Sequence, residues 1–98
     1  MADQTFTDPL GRSITLHEHT WHGHILKGHK NMRRFRTEAQ RTLTQPDRIL
    51  FSYAPDARLY VSAPDTSGMM VVVVVDLKLG LVKTAYRAKK TKGGQEWP

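Results

Sequence analysis

Apolar positions change their spacing near Pro46, which divides the chain into a helical half and a strand half. Between His19 and Lys27, Trp21 and Ile25 lie four apart with Leu26 beside them, a spacing that predicts one apolar stripe on a helix. Gly28 follows as a C-terminal stop. Met32, Phe35, Ala39 and Leu43 then recur at helical spacing, with Arg33, Arg34, Arg36 and Arg41 facing elsewhere, and predict a second helix from about Lys30 to Leu43. Pro46 enforces its end, because the residue before a proline is pushed out of the α region.

Beyond Pro46 the period falls to two. Arg48–Tyr53, Arg58–Ala63, Met69–Leu77 and Leu81–Tyr86 are rich in β-branched and aromatic residues, and turn formers separate them around Pro55, Pro64 to Gly68 and Gly80. Links this short join antiparallel neighbours. Val71–Val75 has no polar alternation, so it is expected to be the central strand, buried on both faces or nearly so. At the start of the chain, Thr5–Thr7 and Arg12–Leu16 flank Asp8-Pro9-Leu10-Gly11, whose proline and glycine predict a small hairpin. Lys89–Pro98 is basic and mostly aperiodic and reads as a flexible tail. The expectation is a single α+β domain over residues 1–98: a hairpin, two helices packed on one sheet face, a four-stranded antiparallel meander, and a basic tail over 89–98.

Composition narrows the function. At 98 residues and 39% hydrophobic content the chain supports one modest core. It has no cysteine, which excludes disulfides, thiolate catalysis and cysteine-rich zinc ribbons and fits a cytoplasmic location. No basic segment precedes an apolar core near Met1, and the longest apolar run, Met69–Val75, is too short to span a bilayer, so no membrane partner is expected. A formal net charge of +6 predicts salt-sensitive attraction to polyphosphate, with RNA the leading candidate. Arg33, Arg34, Arg36 and Arg41, together with Lys89, Lys90 and Lys92, are candidates to track such a backbone, and the same charges also describe an ordinary solvated surface.

All five histidines fall between His17 and His29. Imidazole titrates near neutrality and serves as proton donor, proton acceptor or metal ligand. The spacing argues against zinc: His17 and His19, like His22 and His24, are two apart, and neighbours two apart on a helix diverge. Metal-free cleavage of RNA through its own 2′-hydroxyl needs a base, an acid, and donors or cations for the pentavalent oxyanion. Histidines fill the first two roles. Lys83 and Arg87, near Thr84 and Tyr86 in the last predicted strand, suit the third. On a regular strand Thr84 and Tyr86 share one face while Lys83 and Arg87 share the other, so all four meet one phosphate only if the strand twists or bulges.

The string Thr20-Trp21-His22-Gly23-His24-Ile25, then His29, then Gln45-Pro46-Asp47-Arg48-Ile49, and finally Val82-Lys83-Thr84-Ala85-Tyr86 resembles the small phage-associated nucleases of the barnase/EndoU/colicin/RelE-like (BECR) superfamily. In that pattern a Trp-x-x-His-Ile segment leads to a second histidine, and a Pro-Asp-x-Ile step leads into the sheet. The likeness covers roughly residues 6 to 97. It implies a helical half packed on a four-stranded antiparallel sheet, with a metal-independent, cofactor-free endoribonuclease site in the groove between them. It further implies His24 and His29 as the acid/base pair, Thr84 and Tyr86 as transition-state donors, and a toxin or phage-derived effector with RNA and a cognate immunity or antitoxin protein as partners. One departure stands out: the pattern follows the second histidine with Pro-Glu, and here Lys30-Asn31 follows His29, removing a proline and an acid suited to a helix's first turn. The competing expectations are a non-catalytic nucleic-acid-binding module and a phage structural or interaction domain.

Overall fold

A computed structural model describes residues 3–98. The N-terminal hairpin forms as the sequence predicts: β1 (Gln4–Thr7) and β2 (Ser13–Leu16) pair antiparallel from Gln4↔Leu16 to Thr7↔Ser13. Asp8 closes its turn by accepting hydrogen bonds on Oδ1 from the backbone N–H groups of Leu10 and Arg12 at 2.9 and 2.8 Å. Gly11 takes the positive φ of 84° that the turn requires.

The first helix, α1 (residues 18–28), is built of three successive pieces: an α turn Glu18–Thr20, a π-helical turn Trp21–Ile25 and an α turn Leu26–Gly28. The second predicted helix is divided. A 3-10 turn, Lys30–Arg34, precedes α2 (Arg36–Thr44), with Phe35 non-helical between them at φ −115°, ψ 19°. A helix begun at Lys30 would set Lys30, Arg33 and Arg34 at its partly positive N-terminus, whereas α2 carries Glu38 in its first turn.

The predicted meander is present as β3 (Arg48–Phe51), β4 (Ala57–Val61), β5 (Met70–Asp76) and β6 (Leu81–Ala88), each antiparallel to the next. It lies inside a larger sheet. The order is β1-β2-β6-β5-β4-β3-β7, seven strands, and it is mixed because β2 runs parallel to β6 through Thr15↔Leu81. The α+β class stands, and the four-stranded antiparallel sheet is corrected to this mixed one. Unpaired strand edges expose backbone donors and acceptors, and the two additions cover them in part: the hairpin meets β6 only through Thr15↔Leu81, and β7 (Gln95–Trp97) pairs with β3 at the other edge. As expected, β5 is central and buried on both faces, with only Val74 partly exposed among Val71–Val75.

Residues 89–98, read as a tail, therefore return to the sheet. Gln95 pairs with Leu50 and Trp97 with Ile49, and Trp97 packs against the main core. Because β6 and β7 stand at separated places in the order, residues 89–94 pass over β5, β4 and β3 like a strap. Arg48 ties the strap down: its guanidinium donates to Thr91 Oγ1 at 3.3 Å and also reaches Met70 Sδ.

Two apolar clusters follow from the pleat. On the inner face Ile49, Tyr60, Val71, Val73, Val75, Val82 and Ala85 pack against Trp21, Ile25, Met32, Ala39 and Leu43 from the helices. On the outer face Leu50, Val61, Met70 and Val72 form a smaller cluster. Each such side chain contributes about 1.5–3 kcal/mol when fully buried.

Candidate functional site

The strand that bears Thr84 and Tyr86 has an open edge. β6 pairs with β2 only at Leu81, and along the rest of that edge α1 and the 3-10 turn lie against it instead of another strand. Two local irregularities shape this edge. In the π-helical turn the Leu26 N–H reaches the Trp21 carbonyl five residues back, so Trp21 and Ile25 stay buried while His22, Gly23 and His24 arch into solvent. In β6 the register passes from Val75↔Val82 to Val74↔Thr84 and skips Lys83, a β-bulge.

The bulge changes which residues can meet. Thr84 and Tyr86, paired with Val74 and Val72, belong to the outer face. Lys83, exposed at the bulge, borders two concavities. One is a shallow depression of about 450 Å³ shared with His19, Thr20 and His24. The other is a groove of about 810 Å³ on the outer face shared with Tyr86. His29, at the junction between α1 and the 3-10 turn, has its ring 5.7 Å from that of Tyr86, tilted by 38°.

The five histidines separate by what holds them. His17 Nδ1 lies 2.5 Å from an Asp3 carboxylate oxygen, and its ring stacks on His19 at 5.1 Å. His22 Nε2 lies 3.2 Å from Glu18, whose carboxylate Arg36 also binds. Hydrogen bonds from Arg36 outweigh the desolvation of Glu18 and hold its carboxyl below the usual range. Among the described residues, neither His24 nor His29 makes a side-chain hydrogen bond or ion pair; His24 is exposed, and His29 is half-buried against Tyr86. No group of three or more His, Cys, Asp or Glu among the described residues is arranged to hold a metal ion.

Of the residues expected to bind phosphate, the structure sets some elsewhere. Arg87 pairs across β5 with Val71, on the inner face, donates to Asp65 at 2.8 Å and lies over the Phe35 ring at 4.2 Å. The Ser67 hydroxyl and the Met69 amide pull Asp65 down to about 2, so this partner stays charged. Arg87 is thus removed from Lys83 and Tyr86, and with Arg41 it borders a separate cleft between α2 and the sheet. Arg33 borders a small recess with Leu26 and Lys30, Arg34 is exposed on the 3-10 turn, and Lys89 is exposed where the strap begins. Under Trp21 and Ile25 the helices and the sheet leave no groove of the kind expected, because Leu16, Trp21, Ile25, Leu43, Val73 and Val82 fill that space and leave no room for a water molecule; the opening between the two layers lies at the Arg41 and Arg87 end. Tight interdigitation of an apolar helix face with an apolar sheet face explains the difference. A larger concavity, of about 810 Å³, lies on the outer face.

No family model, no curated protein and no solved structure matches this chain.

Two groups of residues are not evident from the sequence pattern. Tyr53, fully exposed in the loop after β3, borders the outer groove. The period-two pattern Ile49, Phe51, Tyr53 placed it within the predicted strand Arg48–Tyr53, whereas β3 ends at Phe51 and leaves Tyr53 in the loop. The second group is a charged network at the hairpin. Burial disfavours the charged form of Asp8, yet hydrogen bonds from Tyr60 and Arg12 overcome this and keep its carboxyl below the usual range. Arg12 donates at 2.6 Å to Glu96, which Arg58 also holds at 2.8 Å, and these bonds lower Glu96 too. Burial, with the Asp8 carboxylate beside it, drives the Tyr60 phenol well above its ordinary value. None of these atoms faces the β6 edge groove.

Proposed function

We propose that this chain is a metal-independent endoribonuclease of the BECR kind, cleaving RNA by 2′-hydroxyl transesterification at the open edge of β6. The observation that carries the reading is the contact of His29 with Tyr86 beside the bulged Lys83. One imidazole takes the proton of the 2′-hydroxyl, O2′ attacks phosphorus, the bond from phosphorus to O5′ breaks, and the second imidazole, entering protonated, gives its proton to O5′. The products are a 2′,3′-cyclic phosphate and a 5′-hydroxyl end. His24 and His29 are the two imidazoles. Lys83, with the hydroxyls of Tyr86 and Thr84, donates to the phosphoryl oxygens as charge builds on them. Arg33, Arg34 and Lys89 serve as outlying phosphate contacts.

Among the described residues no helix is long and apolar enough to cross a membrane. A toxin or phage-derived effector acting on cytoplasmic RNA, restrained by an immunity or antitoxin protein, fits the motif order and the basic surface. The separation of His24 from Tyr86 by Lys83 favours a second reading, a non-catalytic RNA-binding module.

Incubating purified protein with RNA in excess EDTA tests the proposal. Cleavage persists, leaves cyclic phosphate ends and is blocked by 2′-deoxy substitution at the scissile nucleotide. His29→Ala and His24→Ala each reduce the rate about 10²- to 10⁴-fold. Intact RNA, or full activity in either variant, overturns the assignment, and salt-sensitive RNA binding without cleavage establishes the second reading.

A further inference from the structure

The outer-face groove runs from Lys83 and Tyr86 on β6 to Tyr53 in the loop after β3, and the strap residues Lys90 and Lys92 border it. Three features define what it accepts. Its floor is apolar, with Leu59 and Val74 facing each other across β4 and β5. Its charged border is of one sign: Lys83, Lys90 and Lys92 line it with no carboxylate, and all three are exposed and outside every ion pair among the described residues. By contrast Arg12, Arg36, Arg58 and Arg87 each bind a carboxylate, and Arg48 is held by Thr91 and Met70. Finally, the Tyr53 ring is wholly in solvent, although burying an aromatic surface is ordinarily favourable.

We propose that this groove holds an unpaired RNA strand, with Tyr53 stacking a base displaced from the scissile phosphate and Lys90 and Lys92 tracking the intervening backbone. An apolar floor with an aromatic platform suits exposed base faces, which a duplex keeps stacked inside, and a lysine border suits phosphates. The strap therefore has two jobs: it covers the outer cluster and carries the cations. The inference deepens the ribonuclease reading and rests on it for the position of the cleaved bond.

The test measures binding of a 2′-O-methyl RNA oligonucleotide, which cannot be cleaved, as a single strand and as a duplex of the same sequence. The single strand binds at least tenfold tighter. Tyr53→Ala weakens that binding roughly 5- to 150-fold, the loss of one base stack, and Tyr53→Trp restores it. Lys90→Gln with Lys92→Gln flattens the salt dependence, the log–log slope falling by about 0.7 for each phosphate no longer neutralised. In cleavage of unmodified RNA, Tyr53→Ala raises KM and leaves kcat unchanged. Equal affinity for duplex and single strand, or wild-type binding by Tyr53→Ala, overturns the groove. Because Tyr53 is fully exposed, its variants keep the fold. The two readings fail separately: binding that depends on Tyr53 without any cleavage removes the catalytic proposal and leaves the groove, while cleavage indifferent to Tyr53 removes the groove and leaves catalysis.

Discussion

The hairpin end of the sheet and the open edge of β6 are both rich in polar groups, and they differ in who satisfies them. At the hairpin end, Asp8, Arg12, Tyr60, Glu96 and Arg58 satisfy one another, linking the first strands of the sheet to the last through Arg12 and Glu96. At the β6 edge, His24, His29 and Lys83 have no protein counterpart among the described residues, although Tyr86 lies against His29. Charge that is internally compensated spends its interaction energy on the fold. Charge and imidazole left open keep that energy for a ligand. A net charge of +6 is therefore less informative than where the uncompensated part of it lies.

The comparison breaks most visibly through Asp8. Asp8→Ala removes a buried carboxylate that Arg12 and Tyr60 both address, leaving a partly buried guanidinium short of a partner, and is expected to destabilise the chain by about 3–5 kcal/mol. Urea unfolding at neutral pH reads the loss. Cleavage per folded molecule stays at the wild-type level, because nothing in the network touches the β6 groove. A variant of normal stability but lost activity would move the site from β6 to the hairpin.

Much of this contrast could be read from the chain, and the part that could not has a common cause. The meander was legible because Arg48–Tyr53 through Leu81–Tyr86 keep a period of two, and Thr84 and Tyr86 share a face for the same reason. That Lys83 could share a site with Tyr86 only across a twist or a bulge was also legible, but the bulge at Lys83 depends on pairing with β5. What escaped depends on partners far along the chain. Arg87 is taken by Asp65, 22 residues away, and Arg12 by Glu96, 84 residues away. A three-residue strand such as Gln95–Trp97 shows no period. The π-helical turn keeps Trp21 and Ile25 four apart, as an ordinary helix does, so spacing alone conceals it.

A smaller effect sharpens the same contrast through pH. Asp8 and Glu96 titrate below their ordinary values of 3.8 and 4.5 when folded, so the unfolded chain binds more protons than the folded one in this range. Their stabilisation is complete above about pH 5 and disappears as pH falls through the ordinary values and then the lowered ones. Urea midpoints for the wild type should therefore fall between neutral pH and pH about 3. In Glu96→Gln the midpoint starts lower and falls less, since one of the responsible carboxyls is gone. Parallel curves would mean that the Arg12 and Arg58 contacts do not favour the charged form of Glu96.

The smallest expected effect is the most selective, because it compares histidines within one segment. His17→Ala removes an exposed pair with Asp3, and His22→Ala removes an exposed contact with a Glu18 that Arg36 still holds, so each costs about 0–1 kcal/mol of stability. Neither ring borders the depression that His24 shares with Lys83, and neither lies against Tyr86 as His29 does. RNA cleavage by the His17→Ala, His22→Ala double variant therefore runs at the wild-type rate in the same assay that registers the loss in His29→Ala. If the double variant loses as much activity as His29→Ala, then proximity along the helical arch governs function, and the distinction between engaged and open imidazoles fails. A wild-type rate leaves the open rings beside β6 as the ones available for proton transfer, because the two removed were already committed to carboxylates within the fold.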